Sequence, residues 1–149
     1  MGALLWPLLG VAAGALLAIQ APINAALARD IGMSVAAAAI SFLVGAIALA
    51  LVTGLMVQGQ GVALQWRAPA PWLFVVGGLL GAAFVTCNVI LAPKLGAAAL
   101  MAFLVAGQLI AGLAVDRIGF LGLAVRELSL GRIAGAGLLL VGALLIRFT

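Results

Sequence analysis

The stretch MSVAAAAISFLVGAIALALVTGLMV, residues 33–57, decides the fold. It carries no charged side chain. Wound as a helix that rises about 1.5 Å per residue, it outreaches the roughly 30 Å of a bilayer's hydrocarbon core. A strand of a membrane barrel would alternate apolar and polar residues over about ten positions, and this run does not. It reads as a transmembrane helix, whose backbone polar groups are all satisfied within the segment.

Four further runs flank it, at about 3–28, 72–92, 97–115 and 131–146. The first ends at Arg29-Asp30, a very short connection before the second. Residues 58–71 form a polar loop with Gly and Pro. Pro93-Lys94-Leu95-Gly96 reads as a turn that stops the third helix, because proline cannot continue the ladder and glycine permits the reversal. Residues 116–130 carry charges at both ends of the apolar stretch Ile118–Val125. That stretch is too short to span and is expected at the interface or against the bundle. Ser129 is placed to cap the fifth helix. Short connections make neighbours antiparallel. The expectation is an all-α integral membrane protein of five transmembrane helices, with one transmembrane domain over residues 1–149.

Composition agrees. Of 149 residues, 68% are hydrophobic and 7% charged, against about half and a quarter in soluble domains. The net charge of +4 is no nucleic-acid signature, since the cations sit singly at the ends of apolar runs rather than in a stripe. The partner these residues imply is the lipid bilayer, not a nucleic acid. The first run exceeds the apolar core of a signal peptide, about 7–15 residues, and no basic side chain precedes it, so it is expected to be a retained span. One cysteine, Cys87, cannot form an intrachain disulfide. With no histidine, no metal-ligand cluster, no paired carboxylates and no phosphate-binding glycine loop, nothing suggests an enzyme, a catalytic residue, a bound metal or a cofactor.

Glycines recur four apart at Gly10/Gly14, Gly77/Gly81 and Gly131/Gly135, and Ser41/Gly45 repeat the spacing. Small-xxx-small faces let helices approach closely in lipid, so these pairs are expected to pack. Lys and Arg are nearly balanced between the two ends of the spans. Arg67, Arg117, Arg126 and Arg132 fall on the side of the N-terminus, and Arg29, Lys94 and Arg147 on the other. The positive-inside rule has little to act on. Such a chain can insert both ways and pair with an upside-down copy of itself as an antiparallel homodimer. The alternatives are one orientation set by other cues, or a homologous partner chain of opposite topology. Trp6, Trp66 and Trp72 fall on the four-cation side, as belt residues.

No Asp, Glu, Lys or Arg lies deep in a span, which argues against a carboxylate proton relay. The polar groups inside are neutral. Gln20 and Asn24 share a face of the first span. Pro22 between them has no N–H and frees the Ala18 carbonyl. This turn can line a cavity, or be a kink whose amides bond neighbouring helices. Asn88 in the third span and Gln108 in the fourth can likewise line a cavity or join helices. Ser41, in the second, can serve as a further polar contact or bond its own backbone.

Gln20-Ala21-Pro22-Ile23-Asn24, Ser41-Phe42-Leu43-Val44-Gly45, Ala92-Pro93-Lys94-Leu95-Gly96, Gly107-Gln108 and Asp116-Arg117-Ile118-Gly119-Phe120-Leu121-Gly122 follow in that order. The ordered set, over nearly the whole chain, resembles the YdcZ-type family of the drug/metabolite transporter (DMT) superfamily. The resemblance implies a bacterial inner-membrane exporter with undefined substrates. It also implies half of a ten-helix architecture, completed by a second, opposed chain. The first four helices of each chain would enclose the substrate path, and the fifth would help join the halves. The embedded glutamate of the small multidrug-resistance branch is missing, which argues against multidrug-cation/proton antiport.

The reading is a transporter of a small neutral or zwitterionic organic solute, working by alternating access. Gln20, Pro22, Asn24, Ser41, Asn88 and Gln108 are the candidate cavity residues. Rival readings are a small dual-topology ion channel and a non-transporting membrane assembly subunit.

Overall fold

The computed structural model of the chain, described over residues 2–61 and 63–148, consists of long helices and connections. Helix α1 runs Gly2–Ile31, α2 Ser34–Gln60, α3 Leu73–Leu95, α4 Ala97–Ile118 and α5 Leu130–Phe148. Each is long and apolar enough to cross a membrane.

The apolar runs end near residues 28, 57, 92 and 115, but the first four helices continue to Ile31, Gln60, Leu95 and Ile118. Hydropathy marks where contact with lipid ends, whereas the helix ends where the backbone is forced out of it. Here that happens at Gly32, Gly61, Gly96 and Gly119, whose φ values of +80°, +63°, +77° and +62° lie in the left-handed region. Positive φ is open to glycine because it has no Cβ, and Gly61 and Gly119 take the αL conformation of a helix C-cap. At two of these ends the glycine N–H closes the last turn, Gly61 to the Val57 carbonyl and Gly119 to that of Val115.

Pro93 does not stop α3, contrary to the sequence expectation; it lies inside the last turn. Proline removes only its own N–H and crowds one carbonyl. The residues after it keep their bonds, and Gly96 makes the stop. The stretch Ile118–Val125 also differs from a single apolar segment. Ile118 ends α4, a 3-10 turn occupies Phe120–Gly122, and the backbone at Leu123 is extended.

The chain forms two compact units, α1 to α3 up to Pro93, and the remainder from Lys94. In the first unit, the buried core is Ala28 of α1, Ala37 and Ala38 of α2, and Val85 and Val89 of α3, with Leu27 and Phe84 against it. All of these lie towards the end where α1 turns into α2. The opposite halves of the same helices, residues 4–16, 42–56 and 73–80, are exposed throughout. The three helices are joined at one end and bare at the other.

In the second unit α4 and α5 pack on each other. Their buried positions are mostly small, with Ala99 and Ala106 on α4 and Ala136 and Ala143 on α5. Each pair is two turns apart, so each helix presents one small-residue stripe for close approach. Ser129 caps α5 as expected, its hydroxyl accepting from the Arg132 N–H at 3.3 Å. Arg132 reaches back from α5 to form an ion pair with Asp116 of α4. Its other terminal nitrogen donates to the Glu127 carbonyl at 3.3 Å. The Arg126 N–H donates to the Asp116 carbonyl at 2.9 Å, folding the connection against the end of α4.

The glycine pairs behave otherwise than expected. A Cβ built at Gly10, Gly14, Gly77 or Gly135 meets nothing within 4 Å. Only Gly81 is in close contact, 3.2 Å from the Phe42 ring. Inside one chain the packing relies mainly on alanine and valine, and most of the paired glycines face open space.

Candidate functional site in the first unit

The site is built on the α1–α2 hairpin. Asn24 lies seven residues before the end of α1, and Ser41 seven after the start of α2. Across an antiparallel hairpin, equal distances from the turn bring two side chains to one level. The Asn24 Nδ2 donates to the Ser41 Oγ at 3.3 Å. Asn24 is only 6% exposed, so this bond serves an amide with few other partners.

One turn back along α1, Gln20 is exposed and faces a cleft of about 300 Å³. Ser41, Phe42, Gly45, Ala46 and Leu49 of α2 and Val85 of α3 complete its lining. The α2 residues fall at helical spacing on one face. No lining side chain is charged. The cleft begins where the buried core ends, at the point where the faces of the three helices become bare. Its depth follows from helix length. The midpoint of α2 is Ile47, within the Ser41–Leu49 stretch, and Gln20 is within about one turn of the midpoint of α1. The cleft therefore lies near the middle of the spans.

The six candidates divide. Gln20 and Ser41 line the cleft, and Asn24 stands behind Ser41 and holds it. Pro22 is exposed on α1 without lining the cleft, and α1 is continuous through it. Asn88 is buried on α3, 4% exposed, one turn after the lining residue Val85. Among the described residues its Oδ1 has no hydrogen-bond partner. Gln108 is exposed on α4, in the other unit. Sequence reasoning missed the apolar wall of Phe42, Gly45, Ala46, Leu49 and Val85. The Ser41/Gly45/Leu49 spacing was the available signal, but it is indistinguishable from any other apolar helix face.

Uncharged hydrogen-bonding groups at mid-depth in spanning helices define a multi-pass α-helical membrane protein with a polar notch in its spans. The chain matches the family described as "Putative inner membrane exporter, YdcZ" over residues 5–145 and belongs to it. It is a multi-pass protein of the bacterial inner membrane. Over 75 residues it is 44% identical to the inner membrane protein YdcZ of Escherichia coli (strain K12). That alignment covers 50% of this chain and 50% of the relative, so the chain spans about half the length of the relative it matches. No solved structure matches the chain.

Proposed function

We propose that the chain is one half of an exporter for a small organic solute, and that the cleft between Gln20 and Leu49 is its half of the substrate path. The observation that carries this reading is the uncharged polar notch near mid-depth. Exposed amides and hydroxyls are costly in hydrocarbon, and they are retained where water or a solute reaches them. Membership of a family described as exporters supports the same reading.

The lining fits a neutral solute better than a zwitterion. Gln20 offers both donor and acceptor, and Ser41 a hydroxyl, while the rest of the wall is apolar. A zwitterion would bring two charges with no counter-charge on this wall, a costly placement away from water.

The second half is a copy of this chain in the opposite orientation, or a homologous chain of opposite topology. Each spanning stretch has only 6–17% of its residues buried within the chain, so large helix faces remain for a partner. The near balance of Lys and Arg lets both orientations form. Opposed copies create the inverted symmetry on which alternating access at a midplane site rests.

The test is solute counterflow in proteoliposomes across a panel of neutral, zwitterionic and charged solutes. Transport of neutral members, reduced about ten-fold or more by Gln20→Ala, is expected. A panel that moves no solute but carries large unitary currents would replace the exporter by a channel. Reporters fused to the C-terminus should give signal on both sides of the membrane. A signal confined to one side would remove the homodimer.

A further inference from the structure

The connection between α2 and α3, residues 61–72, is not used by the substrate reading, and its chemistry is unlike the rest of the first unit. Between residues 31 and 93 the chain holds a single charged side chain, Arg67. It is exposed, next to Trp66, which is 69% exposed. The only carboxylate of the unit is Asp30, at the other end of α2. The 27 residues of α2 hold the two ends about 40 Å apart. Among the described residues Arg67 takes part in no ion pair.

The loop also frames two shallow, open hollows. Leu64, Gln65, Trp66, Arg67 and Ala68 curve round an open space of about 590 Å³. A second hollow of about 150 Å³ lies beside it, lined by Leu64, Gln65, Trp66, Pro69 and Phe74. One hollow has a cation at its wall and the other is mostly apolar and aromatic, with Gln65 its one polar side chain. The loop joins two spans that leave the hydrocarbon on the same side, so it lies in the headgroup layer. Trp72, at the start of α3, is set at that level as well.

We infer that this loop is a binding site for an anionic phospholipid. The Arg67 guanidinium takes the phosphate, whose oxygens match its planar fork. Trp66 and Phe74 lie against the glycerol and the upper acyl chain. Charge complementarity selects the headgroup, because the first unit offers Arg67 no carboxylate at its own end of the helices and an inner membrane offers anionic lipid as its neighbour. The proposal is independent of the solute cleft, which shares no residue with the loop.

The test uses the whole chain in vesicles with Trp6→Phe and Trp72→Phe, which leaves Trp66 as the sole indole, since the chain has three. Trp66 emission is quenched by brominated phosphatidylglycerol in phosphatidylcholine, and in a second series by brominated phosphatidylcholine in phosphatidylglycerol. Both leaflets have the same composition, so either orientation of the chain reads alike. A preference for phosphatidylglycerol of about five-fold is expected, the size one cation provides at an anionic surface. Arg67→Gln should abolish it and Arg67→Lys retain part. Equal quenching by the two lipids, or a preference unchanged in Arg67→Gln, would overturn the proposal. So would loss of the preference to inorganic phosphate, which would make the loop a general anion site. Quenching that follows protein density rather than headgroup would show a second copy on the loop, and would overturn it too.

Discussion

Replacing Ser41 should cost the hairpin more than replacing its partner Asn24. The two side chains share one hydrogen bond of 3.3 Å, slightly long for an N–H···O contact. Side-chain bonds between membrane helices average about 0.6 kcal/mol, and this one belongs near that figure. Ser41→Ala deletes the acceptor and strands the Asn24 amide, which is 6% exposed. A buried polar group without a partner costs about 1–3 kcal/mol. Since Asn24 keeps slight exposure, the loss should be about 1–2 kcal/mol. Asn24→Leu removes the donor and leaves only a hydroxyl, which can turn to the carbonyl of Ala37 one turn back. Its cost should stay below about 1 kcal/mol. The double substitution should cost less than the sum, because the stranded amide is gone. Reversible unfolding in mixed micelles, followed by helical circular dichroism, reads all three. If Asn24→Leu proves the costlier change, or the two effects simply add, the bond does not hold the site as described.

Other substitutions test the connections and the cleft. Gly119→Ala places a Cβ 2.7 Å from Val125 Cγ2 and 3.1 Å from the Leu123 carbonyl at a φ of +62°, whereas Gly122→Ala at +84° meets nothing. Both incur the left-handed penalty of about 1–2 kcal/mol, so thermal melting should fall further for Gly119→Ala. Leu121→Gly should raise the melting temperature or leave it unchanged, since Leu121 holds a φ of +54° while exposed. Arg132→Ala removes the ion pair to Asp116 and the bond to Glu127 together. Limited proteolysis should then cut between residues 119 and 129 several-fold faster, with little change at the 61–72 loop. Gly81→Ala presses on the Phe42 ring at 3.2 Å, and Phe42 lines the cleft. It should alter solute affinity in counterflow, whereas Gly77→Ala, facing open space, should not.

The spans were legible because desolvation of a helix backbone in lipid leaves little choice. A run such as residues 33–57 has no other stable form. Helix ends were read short because hydropathy stops at Ala28, Val57, Ala92 and Val115 while the hydrogen-bond ladder does not. Pro93 misled for a related reason. Its lost N–H matters in mid-helix, and in the last turn it removes little. Of the candidate site, Gln20, Asn24 and Ser41 could be picked out as polar groups in apolar runs. The pairing of Asn24 with Ser41 could have been found by counting outward from the turn at Gly32. The apolar wall could not be found, because an aliphatic side chain facing a cleft and one facing lipid have the same chemistry. Within the chain only Gly81 of the glycine pairs meets a close neighbour; spacing shows that close approach is possible without showing which surface approaches.

The two-residue connection Gly32-Met33 acts as a gauge for the hairpin. Insertion of one residue there would unbalance the equal distances of Asn24 and Ser41 from the turn, and taken up as helix it would rotate α2 by about 100°. The hydroxyl of Ser41 would swing away from Asn24, and the wall from Phe42 to Leu49 would no longer face Gln20. Surface connections commonly accept insertions, and the loop at residues 61–72 has slack to do so. This two-residue connection has none, so a length change far from any solute contact would dismantle the notch as surely as deleting its amides.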